Sequence, residues 1–205
     1  MQKGAIVLME NKSSSFFPKA IRFFTKRIAN RYGVKTYTHA MFITANFLDE
    51  LSVQSSEFAQ CIMPLKKFNT DKFSYDVFLI IDEIPEASLD DILKEMYLIS
   101  AGEPYGFLQN LWFIYRDIVE TIFKLDVRKQ KNWFPNGDNC SESTYRYLRK
   151  RIIANIRATD KNKSIYQQIL RFLDEWTENT VHPVDLAHII EEYPSLFSKV
   201  YSFNY

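Results

Sequence analysis

The chain is poor in the residues that carry special chemistry. It has two cysteines, Cys61 and Cys140, and three histidines, His39, His182 and His188, in 205 residues. Two cysteines allow at most one bridge, which excludes a disulfide framework. There is no CxxC, HxxxH or HExxH spacing, and the pair His182 and His188 lacks an evident ligand partner nearby, so no metal is expected. Five glycines are few against an average near 7%. Neither a P-loop nor a GxGxxG turn is present, so nucleotide-dependent chemistry has no foothold and no organic cofactor is implied. Neither charge dominates: 26 basic residues face 25 acidic ones, leaving +1 and no footprint for nucleic acid or anionic lipid in the totals, which disfavours polyanion binding outside a local patch. Long apolar runs are missing too. The longest uncharged stretches, Thr36 to Leu48 and Tyr105 to Tyr115, fall short of the roughly 18 residues of a spanning helix. The N-terminal stretch lacks the longer apolar core of a secretory signal. These absences predict a soluble, cytoplasmic protein without a transmembrane segment, and leave the oligomeric state open.

What is present is a foldable, aromatic chain. Hydrophobic residues make up 46%, and 17 Phe with 12 Tyr lift the aromatic share to 16%. This composition and length predict one domain over residues 1–205. Ala5 to Met9 reads as a buried strand, and a basic helix starts near Pro18 and ends at Gly33. Period-two alternation over Tyr37–Thr44 and Leu51–Ser55 predicts neighbouring antiparallel strands, extended by Cys61–Met63 and Tyr75–Ile81. After Pro85 the pattern is helical to the end. One helix carries Leu89, Ile92, Leu93, Met96 and Tyr97. The next carries Leu111, Ile114, Tyr115, Ile118 and Ile122 inward, with Arg116, Asp117 and Glu120 on a wet face. Three more helices are expected over Cys140 to about Ile153, Ser164 to Trp176 and Val184 to Glu191. The predicted class is α+β, a small antiparallel sheet packed with helices.

Cys140 has the most suggestive setting. In Pro135-Asn136-Gly137-Asp138-Asn139-Cys140-Ser141-Glu142 a turn-forming loop gives way to an amphipathic helix. Asn139 is a natural N-cap with Glu142 as capping-box partner, so Cys140 falls in the first turn. There the free N–H groups and the positive end of the helix dipole favour a thiolate and can receive an oxyanion. Cys61, in an apolar strand, is expected to be an inert core thiol. A thiolate nucleophile needs a base, and histidine titrates near neutrality. His39 lies within a strand on a face with Tyr37, Met41 and Ile43, whereas His182 and His188 read as structural or solvent-facing.

Taken in order, these pieces resemble the circularly permuted NlpC-like papain-fold cysteine hydrolases, the YiiX-like group. The resemblance rests on Lys3-Gly4-Ala5-Ile6-Val7-Leu8, Ala20-Ile21-Arg22-Phe23-Phe24-Thr25, Tyr37-Thr38-His39-Ala40-Met41, Leu51-Ser52-Val53-Gln54-Ser55, Met63-Pro64-Leu65, Gly102-Glu103-Pro104-Tyr105-Gly106-Phe107, Asn139-Cys140-Ser141-Glu142 and His182-Pro183-Val184-Asp185-Leu186-Ala187. It implies a permuted papain-like fold in which histidine precedes cysteine, with Cys140 as nucleophile and His39 as general base. The polar group orienting the imidazole lines up with Gln54, where many relatives carry a carboxylate, and Glu57 is the alternative. Tyr105 is implied as a residue lining the cleft.

The function so implied is that of a cysteine peptidase-like or amidase-like hydrolase, or an acyltransferase. A Cys140 acyl-enzyme would form on an amide or acyl-ester bond of a small-molecule, peptide or lipid acyl substrate. The rival reading is a non-catalytic papain-like binding or assembly module with Cys140 inert.

Overall fold

The computed structural model describes residues 2–47, 50–56, 60–81, 83–100, 109–130, 139–176 and 180–204. Tyr105 and Glu57 lie outside the described residues.

Six strands form one antiparallel sheet: β1 (Ile6–Asn11), β2 (His39–Phe47), β3 (Glu50–Ser56), β4 (Gln60–Pro64), β5 (Phe73–Ile80) and β6 (Phe197–Asn204). Their order is β4-β3-β2-β1-β5-β6. β1 is central and pairs Val7 with Met41 on one side and with Val77 on the other. Being covered on both faces, it reads as an unbroken apolar run rather than an alternating one. Ile6 and Leu8 join Ala40, Phe42, Phe78 and Ile80 in the core beneath the helices. Val7 and Met9 join Met41, Ile43, Val53, Tyr75 and Val77 in a second core on the opposite face. A short 3-10 turn, Leu65–Phe68, buries Leu65 and Phe68 in that second core.

The helices are α1 (Phe16–Tyr32), α2 (Glu86–Ser100), α3 (Gln109–Ile118), α4 (Cys140–Ala158), α5 (Lys163–Asp174) and α6 (Pro183–Glu192). α1 ends where the sequence predicts, with Gly33 left-handed at φ 70° and donating to Ala29 O. α4 lies across the sheet: Tyr147 stacks on Phe42 with ring centroids 4.2 Å apart, and its hydroxyl donates to Gly4 O at 2.7 Å. Gly4 has φ +84°, and a Cβ there would stand 2.9 Å from the Tyr147 hydroxyl, so only glycine suits this close crossing.

Two expectations fail. The C-terminus is not helical, since Phe197–Asn204 forms edge strand β6, paired with β5 from Ser74–Asn204 to Ile80–Phe197. The residues themselves carry the signal, an aromatic every second place at Tyr201 and Phe203. Phe203 stacks on Tyr75 at 5.2 Å. Buried Asp76 fastens the same strand, accepting from the Ser202 hydroxyl, from Tyr37 at 2.6 Å and from Lys35 at 2.9 Å. Burial pushes the Asp76 carboxyl up, but these three bonds outweigh it and hold the net value below normal.

The second failure is the facing of α3. Trp112, Phe113, Arg116 and Asp117 are buried, while Leu111, Ile118 and Ile122 are exposed. A buried counter-charge overrides hydrophobic periodicity here. Arg116 makes a two-pronged bond to Asp185 of α6, at 2.6 and 2.9 Å, and also donates to Glu120 and to the Tyr32 hydroxyl. Its guanidinium stacks 4.7 Å from the Trp176 ring. Beyond Ile118 the chain widens to a π-helical turn over Val119–Phe123, which shifts the apolar face further.

Candidate active site

The start of α4 carries the expected Asn139 cap, but not the reciprocal Glu142 half of a capping box. Asn139 is extended, at φ −92° and ψ 167°, and its Oδ1 accepts the Glu142 N–H at 2.8 Å. The Glu142 carboxylate pairs one turn on with Arg146 at 2.9 Å. The Ser141 hydroxyl lies 2.7 Å from Asn139 Oδ1 and 2.6 Å from Val181 O, tying α4 to the segment that enters α6. Cys140 is therefore the first residue of a capped helix, held from both sides and buried.

Its sulfur meets the sheet at β2. Burial is the largest influence on the thiol, and it pushes the pKa up to about 11. Acting the other way are the nearby backbone N–H groups of Ala40, Ser141 and Cys140 itself. The helix start does favour the thiolate as expected, but desolvation is stronger, so the resting thiol is protonated. Ala40 directly follows His39, so the sulfur sits against the His39–Ala40 peptide.

His39 is the first residue of β2, with its Cα opposite Met9. Its Nε2 lies 2.8 Å from Ser55 Oγ. Burial lowers its pKa to about 4, so the imidazole is neutral at pH 7. Alternation places His39 with Met9, Met41 and Ser55 on one face of the sheet, and Ala40, Phe42 and Gln54 on the face under α4. Gln54 Nε2 accordingly donates to Ser143 Oγ of α4, at 3.4 Å. The hydroxyl beside the imidazole is thus one residue further along β3 than the position the family resemblance assigns. Ser55 is legible only once the β2–β3 register is known, because nothing in Val53-Gln54-Ser55-Ser56 marks it. Like Gln54 it is uncharged: it fixes a tautomer without stabilising imidazolium.

Comparison with protein-family models, with curated proteins and with solved structures returned no match.

The remaining candidates have structural settings. His182 caps α6, its Nδ1 accepting the Val184 N–H at 3.1 Å, and its Nε2 lies 3.1 Å from Thr25 Oγ1. His188 stacks on Tyr32 at 4.6 Å. Cys61 is partly exposed while Cys140 is buried, the reverse of the burial expected for an inert core thiol. Among the described residues no group of three or more His, Cys, Asp or Glu is placed to hold a metal ion. None of their helices is long and apolar enough to cross a membrane. Chemically, the α4 face offers a protonated thiol at a helix start and N–H donors that suit an oxyanion; His39 meets the thiol through its backbone, while its neutral ring lies on the opposite face and is not brought to the sulfur.

Proposed function

We propose that the chain is a thiol hydrolase or acyltransferase with a permuted papain-like, NlpC-type fold. The observation that carries this reading is the meeting of Cys140, at its capped helix start, with the His39–Ala40 peptide of β2, where Ser55 holds His39 Nε2. The His39 ring lies on the sheet face away from α4, so serving the thiol requires the start of β2 to bring Nδ1 toward Sγ; with the Nε2–H tautomer held by Ser55, Nδ1 then carries the lone pair and acts as the base. Because both groups rest neutral, proton transfer accompanies attack and no thiolate–imidazolium pair precedes it. Sγ bonds to the carbonyl carbon of an amide or acyl ester while its proton passes to His39. The C–N or C–O bond then breaks, and His39 returns the proton to the leaving group. Water or another nucleophile releases the acyl group by the same steps in reverse. The Cys140 N–H serves the oxyanion.

A competing reading, a non-catalytic papain-like module, draws on one observation, the upward shift of the buried thiol. Alkylation by iodoacetamide, followed at Cys140 by mass spectrometry, separates the two. For a catalytic pair, His39→Ala should slow labelling of Cys140 at pH 7 at least tenfold and leave Cys61 unchanged. Equal rates in wild type and variant would favour the inert module.

A further inference from the structure

The facing of α3 leaves an apolar surface exposed among the described residues. On α1, Phe16 is 87% and Phe23 59% exposed, and in the π-helical turn that follows α3 Ile122 is 64% and Phe123 63% exposed. Ile118 and Leu125 are exposed beside them. α1 packs against α3, and Arg27 links the two parts: its guanidinium lies 6.0 Å from the Phe23 ring and pairs with Asp117, the neighbour of Ile118, at 3.0 Å. Scattered exposed hydrophobics need no explanation, but a set gathered on two packed elements does.

The charges around this set that lack an ion-pair partner among the described residues are of one sign, Asp117, Glu120 and Asp126 each being paired with an arginine. α1 carries Lys19, Arg22, Lys26, Arg27 and Arg31 and no acidic residue. Arg27 and Arg31 are satisfied by Asp117 and Glu120. Among the described residues Lys19, Arg22 and Lys26 have no ion-pair partner, and they flank Phe23 at helical spacings of four, one and three. Lys124 lies between exposed Phe123 and Leu125. Protruding Phe and Ile among unmatched cations form a surface for the headgroup layer of an anionic bilayer, where apolar burial and charge attraction add. A second copy of the chain fits poorly, since a two-fold contact would bring six unmatched cations together.

We propose that α1, the end of α3 and the π-helical turn after it form a peripheral docking face for anionic lipid bilayers. This does not rest on the thiol-hydrolase reading. The test is sedimentation of the full chain with vesicles of phosphatidylcholine alone or with about one-third phosphatidylserine. The chain should pellet with the anionic vesicles, weakly with the neutral ones, and less as salt rises. At about 1 kcal/mol per cation near the surface and about 1.4 kcal/mol per tenfold, Lys19→Ala/Lys26→Ala should weaken partitioning roughly thirtyfold. Phe23→Ser/Ile122→Ser should weaken it more than tenfold, with an unchanged thermal midpoint because both side chains are exposed. Absence of anionic-vesicle binding, or binding unaffected by both variants, would overturn the proposal. So would a dimer in solution abolished by Phe23→Ser/Ile122→Ser, or equal binding to neutral vesicles.

Discussion

The charge cluster that turns α3 around should reveal itself in a double-mutant cycle on Arg116 and Asp185. Both side chains are fully buried, and the two bonds between them, at 2.6 and 2.9 Å, are the cluster's centre. Arg116→Met removes the cation and leaves the Asp185 carboxylate without its main partner. Removing one member of a buried pair costs about 3–5 kcal/mol. For a chain of this size that is a drop in thermal midpoint of roughly 6–20 °C, at about 2–4 °C per kcal/mol. Asp185→Leu strands the guanidinium less completely, because Glu120 remains at 2.8 Å. It also removes the helix cap, since Asp185 Oδ2 accepts the His182 N–H at 2.7 Å, a loss of about 1 kcal/mol. The double variant leaves no unpaired charge at the centre and should be more stable than Arg116→Met plus Asp185→Leu by 2 kcal/mol or more, by the same pair penalty. Urea denaturation of the four proteins, at pH 7 and fixed salt, measures this directly. Coupling below about 0.5 kcal/mol would mean the two groups act independently, and the account of why α3 buries its charges would be wrong.

Two further outcomes follow from the same geometry. His182 is buried and held well below its ordinary pKa, first by burial and then by repulsion from Arg116. Its unfolded form therefore binds the proton more readily, so stability should be full above about pH 7 and fall as pH drops through about 6.5, by up to ~1.4 kcal/mol per unit of pKa difference. His182→Asn, which keeps an acceptor for the Val184 N–H, should reduce the fall in urea midpoints between pH 6.5 and 5, the remainder belonging to His39, whose pKa burial lowers to about 4; an unchanged slope would place the titrating group elsewhere. Ser55→Ala should slow Cys140 alkylation at pH 7 more than Gln54→Ala does, because only Ser55 bonds the imidazole at 2.8 Å; the opposite order would return the orienting role to Gln54.

Much of this was legible in the sequence because local chemistry and global packing agree there. Strands β1 to β5, the Gly33 stop and the Asn139 cap of α4 follow from alternation, φ > 0 and capping residues. Legibility fails where a partner far along the chain decides the outcome. Hydrophobic periodicity turned α3 outward at Arg116 because Asp185, 69 residues away, was not yet in view. β6 reads as a tail until β5 offers it an edge. At the candidate site the sequence marked Cys140 and His39, whose residue types are rare. It did not mark Ser55, a common residue whose value lies wholly in register. The thiol's titration is illegible for a similar reason: a helix start favours the thiolate locally, while burial under the sheet is a property of the whole fold.

The central claim is that Cys140 is an acyl-accepting nucleophile served by His39. The most direct measurement is acetyl transfer from p-nitrophenyl acetate at pH 7, followed by phenolate release and by intact-mass and peptide mapping. The account predicts a burst near one phenolate per chain and an acetyl group on Cys140. Both should be absent in Cys140→Ser, and the burst should be slowed about a hundredfold or more in His39→Ala, the low end for loss of a general base. Acetylation confined to Cys61 or lysines, or a Cys140 burst equally fast without His39, would contradict it.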